Sequence, residues 1–284
     1  MSSMDLYEEL ALIRREGKRA ALATIVRVRG SIPSYEAAKI LVREDGTTSG
    51  SIGGGCVEAE VVLAAQKAMR EEKSRLLTFD LTEDDVEQSG LICGGTLEVF
   101  VEPVLAPPTL YIFGAGHVSR AISKVATLAG FQTVVIDDRP DYANVKRFPE
   151  ASEIIADFFE NAFARIRPSE FSYLVIVTRG HKEDFSVLRW AIQTPARYIG
   201  LIGSKRKIRT LFGRLEEEGV DPELFKRVTA PIGLDIGAIT AEEIAVAFVA
   251  EIIAVRRQAR LLEGYRLSDQ LKYKSANQEE LLKK

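Results

Sequence analysis

Apolar positions along the chain follow two rhythms, and the rhythm changes near residue 105. In the first stretch Leu6, Leu10 and Ile13 recur at helical spacing and Gly17 follows, which predicts a helix over roughly residues 4–16. "AALATIVRVRG" alternates and is rich in β-branched residues, as a half-buried strand does. "AKILVREDGTTSGSIGG" reads as a strand, a turn at Asp45-Gly46 and a short return strand. "CVEAEVVLAAQKAMREE" sets Val57, Val61, Ala64, Ala65 and Ala68 along one helical face, and "RLLTFDL" and "GGTLEVFVEP" supply two more strands. This is the pattern of a mixed α+β module.

Farther on, short apolar runs alternate with helical segments. "TLYIFGAG", "QTVVIDD", "YLVIVTRG" and "YIGLIGS" are strand-like runs, most of them followed by a helical pattern, which predicts a Rossmann-like, doubly wound parallel sheet. "TAEEIAVAFVAEIIAVRR" opens with Thr240 and Glu243 at capping-box spacing. Between the two rhythms lies "EPVLAPPT", whose prolines fix φ and remove backbone donors, so it belongs to neither a helix nor a central strand. The expected organisation is an α/β chain with an N-terminal α+β domain over 1–103, a Rossmann-like domain over 109–262 and a polar tail over 263–284.

Composition narrows the classes of function. The chain has 284 residues, 46% hydrophobic and 28% charged, with a net charge of −3. Neither a nucleic-acid footprint nor a polybasic membrane patch stands out. The opening segment is acidic and lacks an uninterrupted apolar core, so no secretory leader is expected. The most apolar late stretch carries Glu242, Glu243 and Glu251, which predicts a buried helix and not a membrane span. Two cysteines make no disulfide framework, and a reducing cytoplasm is the expected setting.

Candidate chemistry gathers in glycine-rich turns. "YIFGAGHVSRAI" places Gly114 and Gly116 between a strand and a helix, where bare backbone and a helix N-terminus suit a phosphate. Asp137 closes the next strand at the distance of a ribose-binding carboxylate, whereas Ser119 stands where a third glycine is usual. Two histidines, His117 and His181, both follow strands of the expected parallel sheet; with Asp184 they read as an acid/base pair, a metal site or plain loop residues. No HxxxH or CxxC spacing supports a metal, and none is predicted. Ser204 and Lys205 open another helix in "LIGSKRKIRTL", with free N–H groups and cations for a phosphate. Cys56 follows Gly53, Gly54 and Gly55, and Cys93 precedes Gly94 and Gly95. A thiol at a helix N-terminus favours thiolate, so these turns read either as ligand cradles or as packing; Glu58 reads as a helix cap or a ligand contact.

Taken in order, "GSIGGGCVEAEV", "CGGTLEVFVEP", "FGAGHVSRAI" and "PIGLDIGAITAEEIAVAFVAEIIAVRR" resemble the XdhC/CoxI family of xanthine dehydrogenase accessory factors, over roughly residues 10–260. The resemblance implies a maturation factor that binds molybdenum cofactor, protects it while a sulfido ligand is installed, and assists its insertion into a xanthine dehydrogenase-like apo-hydroxylase. It further implies that Cys56, Cys93 and their glycines approach the cofactor, that Gly114, Gly116 and Lys205 hold a phosphate or dinucleotide portion, and that a cysteine desulfurase and a homodimer enter the work. A second reading is an NAD-dependent oxidoreductase using Asp137 for the ribose and His117 or His181 as acid/base. A third makes Cys56 or Cys93 a sulfur carrier. No catalytic residue is assigned. The chain departs from the family pattern GSxPRxxGAKM in "GSIPSYEAAKIL", where Ser34 replaces an arginine and Ala37 a glycine.

Overall fold

A computed structural model describes residues 5–30, 34–81, 95–260 and 264–270. The chain separates into two compact units, Met1–Ala106 and Pro107–Lys284. Cys93, Gly94 and most of the polar tail lie outside the described residues.

The first unit opens with α1 (Leu6–Arg15), followed by β1 (Ala20–Gly30), β2 (Lys39–Arg43), β3 (Thr48–Gly50), α2 (Gly55–Glu71), β4 (Arg75–Leu81) and β5 (Gly95–Val104). Its sheet runs β3-β2-β1-β5-β4, with every pair antiparallel. Alternation along β1 sends Ala21, Ala23 and Ile25 to one face, where Val57, Val61, Ala65, Ala68 and Met69 of α2 cover them. Ile13 of α1 packs with Ala20 and Leu41 in a separate small cluster. The end of α2 is closed by a buried ion pair: Arg19 donates to Met69 O at 2.7 Å and to Glu72 Oε1 at 2.8 Å. The Asp45-Gly46 turn forms as expected, with Gly46 at φ +85° and Asp45 Oδ1 accepting from Thr47 N at 2.9 Å.

The second unit contains β6 (Thr109–Phe113), α3 (His117–Leu128), β7 (Gln132–Asp137), β8 (Glu153–Ala156), α4 (Phe159–Arg165), β9 (Tyr173–Ile176), α5 (His181–Ala191), β10 (Tyr198–Leu201), α6 (Lys205–Glu217), β11 (Val228–Thr229) and α7 (Ala241–Arg257). All strand pairs are parallel, in the order β11-β10-β9-β6-β7-β8, which is the doubly wound Rossmann order. Both sheet faces are covered, so these short strands are apolar throughout and need no alternation. One core joins Phe113, Ile136, Leu174 and Ile176 to α4, α5 and α6. The other joins Ile112, Val135 and Val175 to Ile122 of α3 and to Phe248 and Ile252 of α7.

Capping fixes α7 as its sequence predicts: Thr240 Oγ1 accepts from Glu243 N at 3.2 Å while Glu243 Oε2 accepts from Thr240 N at 3.0 Å. Residues 264–267, read from sequence as tail, are tied into this unit. Asp235 N donates to Tyr265 O at 2.8 Å, and Leu267 N to Gly233 O at 3.0 Å. Glu251, fully buried, anchors the same loop by accepting from Gly233 N at 2.8 Å and from Tyr198 OH at 2.6 Å.

Candidate functional site

In the first unit the stacked glycines make the turn into α2. Gly53, Gly54 and Gly55 have φ of +119°, +80° and +70°, a left-handed run that side chains resist. The N–H groups this turn exposes are largely claimed from within. Glu58 Oε1 accepts from Ser51 Oγ at 2.6 Å and from Ile52 N and Gly54 N at 3.0 Å each. Burial opposes ionisation of Glu58, but the hydrogen bonds from Ser51, Ile52 and Gly54 outweigh it and hold its carboxyl below the ordinary range. A carboxylate of the chain therefore sits where an external anion was anticipated, and Glu58 acts as the cap. Cys56 is a free, exposed thiol on the first turn of α2.

Beside this turn lies a cavity of about 490 Å³ lined by Ser34, Tyr35, Lys39, Gly50, Ser51 and Gly53, among others. Lys39 Nζ donates to Ala37 O at 3.0 Å, and Tyr35 is 72% exposed. Tyr35 does not stand out in the sequence, whereas Lys39 keeps the lysine of the family pattern in "GSIPSYEAAKIL". Gly50 is excluded from carrying a side chain, because a Cβ there would meet Lys39 O at 2.5 Å. Ala37, where the family pattern has glycine, holds φ +68°.

In the second unit the strand order reverses between β6 and β9, the position at which ligands enter such sheets. The two glycines of the β6 turn have different tasks. Gly114, at φ +109°, packs against the loop after β9, and a Cβ would fall 2.3 Å from Val177 O. Gly116 has φ −76° and open space where a Cβ would be. It caps α3, whose first N–H groups have no intrahelical acceptor, so Gly116 is the glycine that leaves room for a ligand. Ser119, in the third-glycine position, is fully buried with no hydrogen-bond partner for its Oγ.

Asp137 is buried beside this turn and is saturated. Its carboxylate accepts from Ala115 N at 2.7 Å, Arg139 N at 3.0 Å, Arg139 Nε at 2.7 Å and Arg139 Nη2 at 2.8 Å. A carboxylate offers about four acceptor positions, and here all are used by the chain. Burial pushes against ionisation, yet Arg139 and Ala115 N prevail and keep the group below the ordinary range. The ribose contact expected of Asp137 thus has no acceptor to make it. Arg139 in turn lies 3.9 Å over the Tyr142 ring. The sequence signal for this lock was the arginine two residues past the acid.

The remaining candidates are spread along the carboxyl edge. His117 and His181 are both exposed, each at the first position of its helix. Asp184 lies within electrostatic reach of His181, but its direct partners are Thr178 and Lys207. It is fully buried, accepting from Thr178 Oγ1 at 2.8 Å and ion-paired with Lys207. Desolvation raises the Asp184 carboxyl, with Lys207 and Thr178 working against that rise. Ser204 caps α6 by accepting from Lys207 N at 3.2 Å, while Lys205 is exposed. Among the described residues, no three His, Cys, Asp or Glu side chains converge on a point that could hold a metal ion. No described helix is long and apolar enough to cross a membrane.

Two family models match the chain: the XdhC Rossmann domain over residues 110–252 and the XdhC and CoxI family over residues 13–80. YqeB of Escherichia coli K12 is 36% identical over 259 residues, covering 90% of this chain, which spans about half of that relative (47%). A probable xanthine dehydrogenase subunit of Bacillus subtilis is 24% identical across 91% of this chain and 99% of its own length. The molybdenum cofactor insertion chaperone PaoD of E. coli is 22% identical across 84% of each chain. A crystal structure described as a xanthine dehydrogenase from Bacillus halodurans aligns at a TM-score of 0.51 and 26% identity, covering 90% of this chain and 97% of its own. With both units matched in order, the chain belongs to the XdhC and CoxI family.

Proposed function

We propose that this protein is a maturation factor that binds molybdenum cofactor as cargo and assists its sulfuration and insertion into a xanthine dehydrogenase-type apo-hydroxylase. The observation that carries the reading is the contrast within one turn: Gly116 is open above its Cα, while Asp137 is closed by Arg139. A dinucleotide needs both the phosphate turn and the ribose carboxylate. A cargo with a terminal phosphate and no ribose needs only the first. His117, exposed beside Gly116, adds a donor for that phosphate. In the first unit, Cys56 is the exposed thiol able to approach molybdenum, and Lys39 is the cation in the cavity beside the glycine turn. The kinship with a relative named as a cofactor insertion chaperone points the same way. The NAD-dependent reading loses its ribose contact.

On this reading the partners are the apo-hydroxylase and a cysteine desulfurase, and the protein works as a homodimer in the cytoplasm. Reconstitution tests it: apo-hydroxylase is incubated anaerobically with sulfurated cofactor, alone, with this protein, or with its Gly116→Val variant. Activation by the wild type, lost with Gly116→Val, is the expected result. Equal activation in all three samples would sink the proposal.

A further inference from the structure

The stretch "PIGLDIGAIT" is part of the last motif that resembles the family, yet neither the Gly116 turn nor the Cys56 turn gives it a task. It forms the loop between β11 and α7 and lines a cavity of about 290 Å³ beyond the carboxyl ends of β10 and β11. That edge of a doubly wound sheet is where ligands bind. Ile202, Pro231, Leu234, Ile244 and Leu267 make its walls apolar. Small residues keep it open: Gly203, Gly237 and Ala238 also line it, and a Cβ on Gly237 would meet nothing within 4 Å. The loop is nonetheless fastened from two sides. Gly233 N donates to the buried carboxylate of Glu251 at 2.8 Å, and residues 265–267 hold Asp235 N and Gly233 O.

The polar groups of the cavity define its occupant. The N–H groups of Gly203, Gly237 and Ala238 have no acceptor among the described residues. Among those residues no lysine, arginine or histidine lines the cavity, and its one charged group is Asp235. A phosphate or carboxylate would find no counter-charge here, and one carboxylate is too few ligands for a metal ion. A sugar would press hydroxyls against apolar walls that cannot pair them. A flat ring with apolar faces and carbonyl or ring-nitrogen acceptors on its edge meets both the walls and the free donors. The volume is at the lower end of the range for small-molecule sites, about 300–1,000 Å³, which suits one fused ring system and not a dinucleotide.

We infer that this cavity binds a fused heteroaromatic ring of the purine or pteridine class, its faces against Leu234 and Ile244 and its acceptor edge on the Gly237–Ala238 backbone. Two sources share that chemistry, a free purine base and the pterin end of the proposed cargo. The second source rests on the function proposed above; the site itself does not, since none of its residues belongs to the Gly116 turn.

Equilibrium dialysis of the full chain against free pterin and, separately, against guanine reads the outcome. The wild type should bind at least one of them saturably. Ala238→Phe, which fills the cavity from its rim, should weaken binding by about tenfold or more at unchanged melting temperature. Ile244→Trp, which narrows it from the helix side, should do the same. Binding of pterin alone assigns the ring to the cargo, and binding of guanine assigns it to a free base. Gly116→Val should lose the cargo phosphate and keep the free ring, so failure of the cargo reading and failure of this one are told apart. A folded wild type that binds neither ring overturns the inference, even where it retains molybdenum cofactor. Binding that both Ala238→Phe and Ile244→Trp leave intact overturns it equally.

Discussion

Glycines that look alike in the sequence do different work once their surroundings are known. Gly114 is required because a Cβ would strike Val177 O, whereas Gly116 has an ordinary φ and nothing above it. Gly114→Ala should therefore destabilise the second unit by about 3 kcal/mol, from overpacking and a strained φ together. Gly116→Val should cost only the poorer N-cap, about 1 kcal/mol, and lower the melting temperature by a few degrees. Comparing the two by thermal denaturation separates packing from ligand access. Ala37 makes the opposite case: at φ +68° it occupies a conformation disfavoured by roughly 1–2 kcal/mol for an L-residue. Ala37→Gly should raise stability, by less than about 1 kcal/mol after the extra entropy glycine brings to the unfolded chain. A lower melting temperature in that variant would mean that the alanine methyl contributes packing.

Among elements, the entry to α2 depends on one carboxylate. Glu58 is held below its ordinary value of 4.5, so its contribution is fully present above that pH and is lost as pH falls through the lower, folded value. Hydrogen exchange at the amides of Ile52 and Gly54 should accelerate in Glu58→Ala at neutral pH. In the wild type the same acceleration should appear only in acid. Exchange that is insensitive to Glu58 would assign the cap to another group. The order of elements was legible in the sequence because periodicity carries it: α2, α3 and α7 follow a helical period, and β6, β7, β9 and β10 are continuous apolar runs. The glycine turns were legible too. What filled them was not, because a hydrogen bond from Gly54 to Glu58, or from Arg139 to Asp137, depends on where side chains come to rest in three dimensions. Spacing marks Asp137 as a ribose ligand; only the contact with Arg139 shows it occupied. The pair of Asp184 with Lys207 escaped notice for the same reason, as it joins the starts of two different helices.

At the scale of the whole molecule, the two units have separate cores and separate candidate surfaces, matched by two family models in sequence order. The first offers an exposed thiol and a cavity with a lysine; the second offers a phosphate-type turn without a free ribose carboxylate. On the proposed reading, these are the two surfaces that an anionic cargo would meet. If the thiol takes part, Cys56→Ser should lower cargo retention several-fold while leaving the fold unchanged, as judged by circular dichroism. Unaltered retention would assign Cys56 to the surface alone.

The most direct measurement is anaerobic co-elution of the purified protein with molybdenum cofactor on a desalting column, with NADH offered in a parallel run. Molybdenum and pterin should elute with the wild type and be lost from Gly116→Val, and NADH should not be retained. NADH retained by a protein that carries no molybdenum would contradict the account.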